Sequence, residues 1–137
     1  RPAGRRCCAT ARRRYNLHRM YSRYRDDRGS RSGNARHSAS VINVPTIKPF
    51  DAEAVRDAAQ KCRILCTVEE HNIYGGLGSA VAEVLADTLV DSGLSARLLR
   101  VGLHDAFSVG YGGAEQVRRE NGLSAELLVR QIQEALS

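Results

Sequence analysis

No apolar run in this chain approaches the roughly 18 residues that a membrane-spanning helix needs, so no segment of the 137 residues reads as a span. Residues 1–40 contain no isoleucine, valine or phenylalanine and show neither a helical nor an alternating apolar period. Such a segment cannot bury enough apolar surface to offset the entropy of ordering it. The cysteines are equally uninformative as a framework. Neither Cys7 and Cys8 nor Cys62 and Cys66 have the two-residue gap of a zinc knuckle or a redox motif. Adjacent Cys7 and Cys8 also argue against an ordinary disulfide scaffold. Cys62, at a helix end, and Cys66, in a strand, read as small free hydrophobes, a usage that fits a reducing, cytoplasmic setting. A serine elbow and convincing metal-ligand spacing are missing too.

What is present divides the chain in two. Its length suffices for one domain, and 42% hydrophobic residues is typical of a globular protein. Residues 1–40 hold 12 arginines against two acidic residues, a net +10, whereas residues 41–137 hold 9 basic and 13 acidic residues, a net −4. Any polyanion partner would therefore have to act through the arm. The first residue is Arg1 rather than methionine, as expected of a fragment or a processed chain.

Three readings of residues 1–40 compete. Tyr15, Tyr21 and Tyr24 among arginines suit an RNA-binding arm; Arg and Ser with few acids suit an organelle-targeting peptide. The third and preferred reading is translation in the wrong frame. Arginine codons mostly begin CG, so a one-base shift turns many of them into codons for Ala, Val, Gly, Asp or Glu. Shifting the sequence from Arg13 onward permits an apolar strand, a glycine turn and a helix start. On this reading residues 1–40 form an irregular arm, disordered or out of frame, and residues 41–137 form the folded domain.

From Val41 the pattern is that of an α/β protein. Val41–Val44 reads as a short buried strand, ended by Pro45 and Pro49. Asp51 caps a helix whose inner face is Ala52, Val55, Ala59 and Cys62. Arg63–Val68 is apolar on both faces and so central. The longest helix runs from Ser79 to Val90, with Val81, Val84, Leu85 and Leu89 (or Thr88) inward and Gly93 as its C-terminal cap. Ala96–Val101 is a more polar strand, hence nearer an edge. A short helix around Ala114–Arg119 stops at Asn121-Gly122. Leu123 and Ser124 staple and cap a last helix with Leu127, Leu128, Ile132 and Leu136 inward. Alternating strands and helices predict a three-layer α/β/α domain with a mostly parallel sheet.

The chemistry-bearing stretch is Thr67–Glu83. Glu69, Glu70 and His71 follow a strand's carboxyl end, where open α/β sheets place their sites. A carboxylate beside a histidine can act as an acid/base pair. The preferred reading is plainer: a solvated turn in which Glu70 or His71 bonds free amides of the next helix. Gly75, Gly76 and Gly78 are able to cradle a phosphate at that helix start, but no P-loop lysine follows. A tight turn with close helix–strand packing is the better account. His104-Asp105 and Phe107 read as capping and packing residues rather than a dyad.

Three blocks carry a family resemblance: Val41–Asp51 (VINVPTIKPFD), Glu69–Glu83, and Asp105-Ala106-Phe107 with Gly122-Leu123-Ser124. Together they resemble the C-terminal domain of transketolase-type, thiamine-diphosphate-dependent enzymes, most closely that of two-component transketolases. The resemblance covers Val41 to Ser137. It implies an enzyme moving a two-carbon ketol unit between sugar phosphates, with thiamine diphosphate and Mg in the complete molecule. It further implies diphosphate-binding and pyrimidine-binding parts as partners, in a homodimer or heterotetramer. The domain itself would mainly support assembly, with no catalytic, cofactor-binding or metal residue of its own. Glu69, Glu70, His71, Gly75, Gly76 and Gly78 would form an interface or substrate-edge loop. Alternatives are the same domain of a deoxyxylulose-phosphate synthase or a 2-oxo acid dehydrogenase beta subunit, or a non-catalytic module binding RNA through its arginines; nucleic acid is not the preferred partner. The family sheet has five strands, one of them between the Val41 and Ile64 strands. If residues 1–40 are out of frame, that strand is expected to be missing.

Overall fold

The computed structural model describes residues 5–11, 37–92, 96–105, 107 and 112–137. Four strands and four helices are formed by these residues: β1 (Arg5–Ala11), β2 (His37–Asn43), α1 (Ala52–Lys61), β3 (Ile64–Asn72), α2 (Leu77–Ser92), β4 (Arg97–Leu103), α3 (Ala114–Glu120) and α4 (Ala125–Leu136). The strands make one parallel sheet in the order β2-β1-β3-β4. Helices α1 and α2 cover one face and α4 the other, which is the expected three-layer α/β arrangement.

The position between β2 and β3 is not empty. Strand β1 occupies it, in register with β2 from Arg5↔His37 to Ala11↔Asn43 and with β3 from Cys7↔Ile64 to Ala11↔Val68. The expectation of an arm without regular packing therefore fails for residues 5–11, and β2 begins at His37, ahead of the expected Val41. The reason is the ladder itself. Two flanking strands with unpaired amides and carbonyls accept any extended segment that can satisfy them, whatever its side-chain pattern. The segment used lies upstream of Arg13, where the shifted-frame reading starts. That reading itself falls on residues 13–33, outside the described residues.

Strand β3 is central, as its two apolar faces require: Ile64 through Glu69 are all buried. Its side chains alternate between layers. Leu65 joins Val55, Ala58, Ala59, Leu77, Val81 and Leu85 under α1 and α2. Cys66 and Val68 meet Val101, Leu123 and Leu128 under α4. The more polar β4 sits at the sheet edge.

The helix boundaries follow local chemistry. Asp51 Oδ1 accepts from Ala54 N at 3.0 Å, and Ser124 Oγ from Leu127 N at 3.4 Å, so both expected caps are in place. Helix α3 ends at Asn121, and Gly122 follows with φ +76°, a conformation that glycine adopts without strain. Inward-facing Leu128 and Leu136 are fully buried on α4. Removing the Leu128 side chain (Leu128→Ala) is expected to cost about 3 kcal/mol in urea unfolding, because α4 is the main cover on its face of the sheet. Two expected features, the Leu89 side chain and Gly93, lie outside the described residues. Cys62 departs from expectation: it is buried but disulfide-bonded, whereas Cys66 is a buried thiol outside any disulfide.

Candidate functional site

The site is built at the carboxyl end of β3. This strand runs on through Glu69, Glu70 and His71 to Asn72, with an irregularity in its pairing to β4 between Val68 and Asn72. Those residues are thus the end of a strand and not a solvated turn. Asn72 then closes the turn by accepting Tyr74 N at 2.9 Å, an Asx turn. Gly75 takes φ +73°, and Gly76 O accepts the first α-helical bond of α2 from Ala80 N.

Helix α2 has no acidic residue in its own first turn. The negative charge its dipole favours comes instead from the strand beneath it. Glu69 Oε2 accepts from Leu77 N at 2.6 Å and Oε1 from Gly78 N at 2.7 Å. The same Oε2 lies 3.0 Å from His71 Nε2. Glu69 is 2% exposed, so a buried charge is present, and three hydrogen-bond donors offset its desolvation. His71 is anchored on its other side by Nδ1, 2.6 Å from Asn72 O. Both ring nitrogens thus face acceptors.

Sequence reasoning places Glu70 or His71 on the helix amides; the structure gives that role to Glu69. Period 2 is the cause. Glu69 and His71 share a face of β3 with Thr67, while Glu70 points to the other side and pairs with Arg118 of α3. The glycines serve this arrangement. A Cβ at Gly76 would overlap Glu69 Oε2 and His71 Cε1. A Cβ at Gly78 would lie 2.9 Å from Glu69 Oε1, Thr67 Oγ1 and the Arg100 Cδ. Close helix–strand approach therefore explains Gly76 and Gly78, and the left-handed backbone explains Gly75. The helix-start amides that a phosphate would use are taken by the chain's own carboxylate. Asp105 accepts from Asn72 Nδ2 at 3.1 Å instead of orienting His104. Phe107, expected to pack, is 98% exposed.

Two features escape sequence reasoning. Thr67 Oγ1 is the buried side-chain oxygen without a partner among the described residues, hidden beneath Gly78. An open cleft of about 450 Å³ lies between the Pro45–Lys48 loop and His71, Gly75 and Gly76. Threonine in an apolar strand gives no sequence signal, and the two walls of the cleft are separated by more than twenty residues of sequence.

Residues 32–127 match the family model described as the transketolase C-terminal domain. The chain belongs to this family. A putative transketolase C-terminal section from Methanocaldococcus jannaschii is 38% identical over 99 residues, 72% of this chain and 29% of that protein. One subunit of an apulose-4-phosphate transketolase from Actinobacillus succinogenes is 40% identical over 90 residues, 66% of this chain and 28% of that one. A 1-deoxy-D-xylulose-5-phosphate synthase from Thermomicrobium roseum is 44% identical over 88 residues, 64% of this chain and 13% of that one. Among solved structures, a split-gene transketolase described as an inactive beta4 tetramer superposes with TM-score 0.70 and 27% identity, covering 98% of this chain and 40% of that one. The transketolase C-terminal domain thus spans less than a third of the curated relatives it matches here. No helix of the described residues is long and apolar enough to cross a membrane.

Thiamine diphosphate, implied for the whole enzyme, does not fit the glycine turn of this domain. Glu69 holds the amides a diphosphate would need, and its carboxylate would repel one. Among the described residues no group of three His, Cys, Asp or Glu is placed to hold a metal ion.

Proposed function

We propose that this transketolase C-terminal domain is the assembly-supporting part of a thiamine-dependent transferase that moves a two-carbon ketol unit between sugar phosphates. Its partners on this reading are the diphosphate-binding and pyrimidine-binding parts, in a homodimer or heterotetramer. The observation that carries the proposal is the commitment of the Glu69–His71 pair. Both Glu69 oxygens and both His71 nitrogens are engaged within the chain, so the pair acts as a helix anchor and offers no free base to a substrate. The names of the relatives, a transketolase section and a transketolase subunit, support the same assignment.

The functional role we give Glu69, Glu70, His71, Gly75, Gly76 and Gly78 is to hold the strand-end surface rigid for a neighbouring part of the enzyme. The domain is read as residues 41–137 with β1 and the start of β2 contributed by the arm. The setting we propose is cytoplasmic, on the likeness to transketolase subunits alone, because the Cys62 disulfide takes away the free-thiol argument.

Calorimetric titration of the purified chain with thiamine diphosphate and Mg²⁺ is expected to give no binding heat, and the chain alone is expected to turn over no ketose phosphate. Micromolar binding or unaided turnover would overturn the proposal. Open coding sequence for a pyrimidine-binding part beside this one in the DNA is the expected genetic counterpart.

A further inference from the structure

Sheet order β2-β1-β3-β4 reverses direction at β1: β2 lies on one side of it, β3 and β4 on the other. In open parallel sheets, the crevice outside the strands' carboxyl ends at such a reversal is where ligands bind. The cleft of about 450 Å³ lies there, with the loop after β2 as one wall and His71 and the Gly75–Gly76 turn as the other. A second hollow of about 300 Å³ adjoins it: Pro45 and Thr46 line both. Its deeper wall is apolar, made by Ile42, Val55, Leu65 and Val81, and Asp51 also lines it, with one carboxylate oxygen already accepting from Ala54 N. The two together offer an apolar recess and a polar mouth, the ordinary anatomy of a small-molecule site.

Charge at the mouth selects the ligand. The Lys48 side chain is exposed and has no hydrogen-bond or ion-pair partner among the described residues. The negative charge of Glu69 is buried and already met by two amides and His71, so the charge facing the cleft is that of Lys48. We propose that this double hollow is a binding site for a small amphipathic anion. Its apolar body enters the recess between α1 and α2, and its phosphate or carboxylate rests at the mouth against Lys48. Glu69 lines neither hollow, although its partner His71 forms part of one wall, and the site does not depend on the catalytic assignment of the whole enzyme.

Phenyl phosphate is a suitable probe, with phenol and inorganic phosphate as its two halves. Titrations of the full chain followed by ¹H–¹⁵N NMR should show phenyl phosphate binding about tenfold more tightly than either half. Its shift changes should fall on Thr46, Lys48, Val55, His71 and Gly75. Lys48→Gln, an exposed change, should weaken phenyl phosphate about tenfold and leave phenol unaffected. Ala54→Phe, at the mouth of the recess, should weaken both, with a thermal melt confirming that the variant folds. Three outcomes would overturn the proposal: equal affinity for phenyl phosphate and phenol, no effect of Lys48→Gln, or shift changes confined to the arginines of residues 1–40.

Discussion

Alanine at position 76 is expected to cost about 4 kcal/mol of folding stability, the scale of a buried ion pair losing a partner. The added methyl would stand where Glu69 Oε2 and the His71 ring now sit. No small adjustment relieves the overlap, because Glu69 is held by Leu77 N and Gly78 N and His71 by Asn72 O. The carboxylate would leave the helix amides, and a buried charge would lose the donors that compensate it. For a domain of this size a loss of that order lowers Tm by roughly 10–20 °C. Gly113→Ala is the matched control: a Cβ there has nothing within 4 Å, and the backbone needs no left-handed conformation. Parent-like melting of Gly76→Ala would mean that the anchor does not hold α2.

Glu69→Gln should lose about 3 kcal/mol, while Glu70→Gln should lose less than about 1. The two residues are neighbours in sequence and differ in what surrounds them. Gln at 69 has the shape of Glu but only one accepting oxygen. Its NH₂ group would confront either the Leu77 or the Gly78 amide, leaving two donors face to face without water. At 70 the partner is Arg118, and both side chains are about a third exposed, so solvent replaces much of what is lost. Urea unfolding of the two variants gives the comparison directly. In NMR spectra the Leu77 and Gly78 amide protons should move upfield in Glu69→Gln and stay in place in Glu70→Gln. Equal losses from the two changes would remove Glu69 from the role given to it here.

The fold was legible in the sequence wherever one residue pattern had one physical solution. Asp51 and Ser124 announced helix starts, the doubly apolar Ile64–Val68 announced a central strand, and Gly122 announced a stop. The glycine turn was legible as close packing, but the identity of the packed group was not. Choosing among Glu69, Glu70 and His71 required knowing that β3 continues to Asn72, since one residue of strand reverses which side chains face the helix. Strand β1 was illegible for a different reason. Arg5–Ala11 carries no β-strand pattern, and its place is set by the backbone groups of its neighbours. The cleft beside Lys48 joins segments distant in sequence, so no local motif marks it.

A strand that comes first in the sequence and lies inside a parallel sheet depends on partners made after it. The residues of β1 leave the ribosome before those of β2 and well before those of β3, yet they need both. Until Ile64–Asn72 has emerged, one side of β1 has no ladder to join, and an arginine-rich segment gains little by waiting in an apolar cluster. The central seam of this sheet therefore closes late, and the first chaperone or protease to meet the nascent chain meets it open.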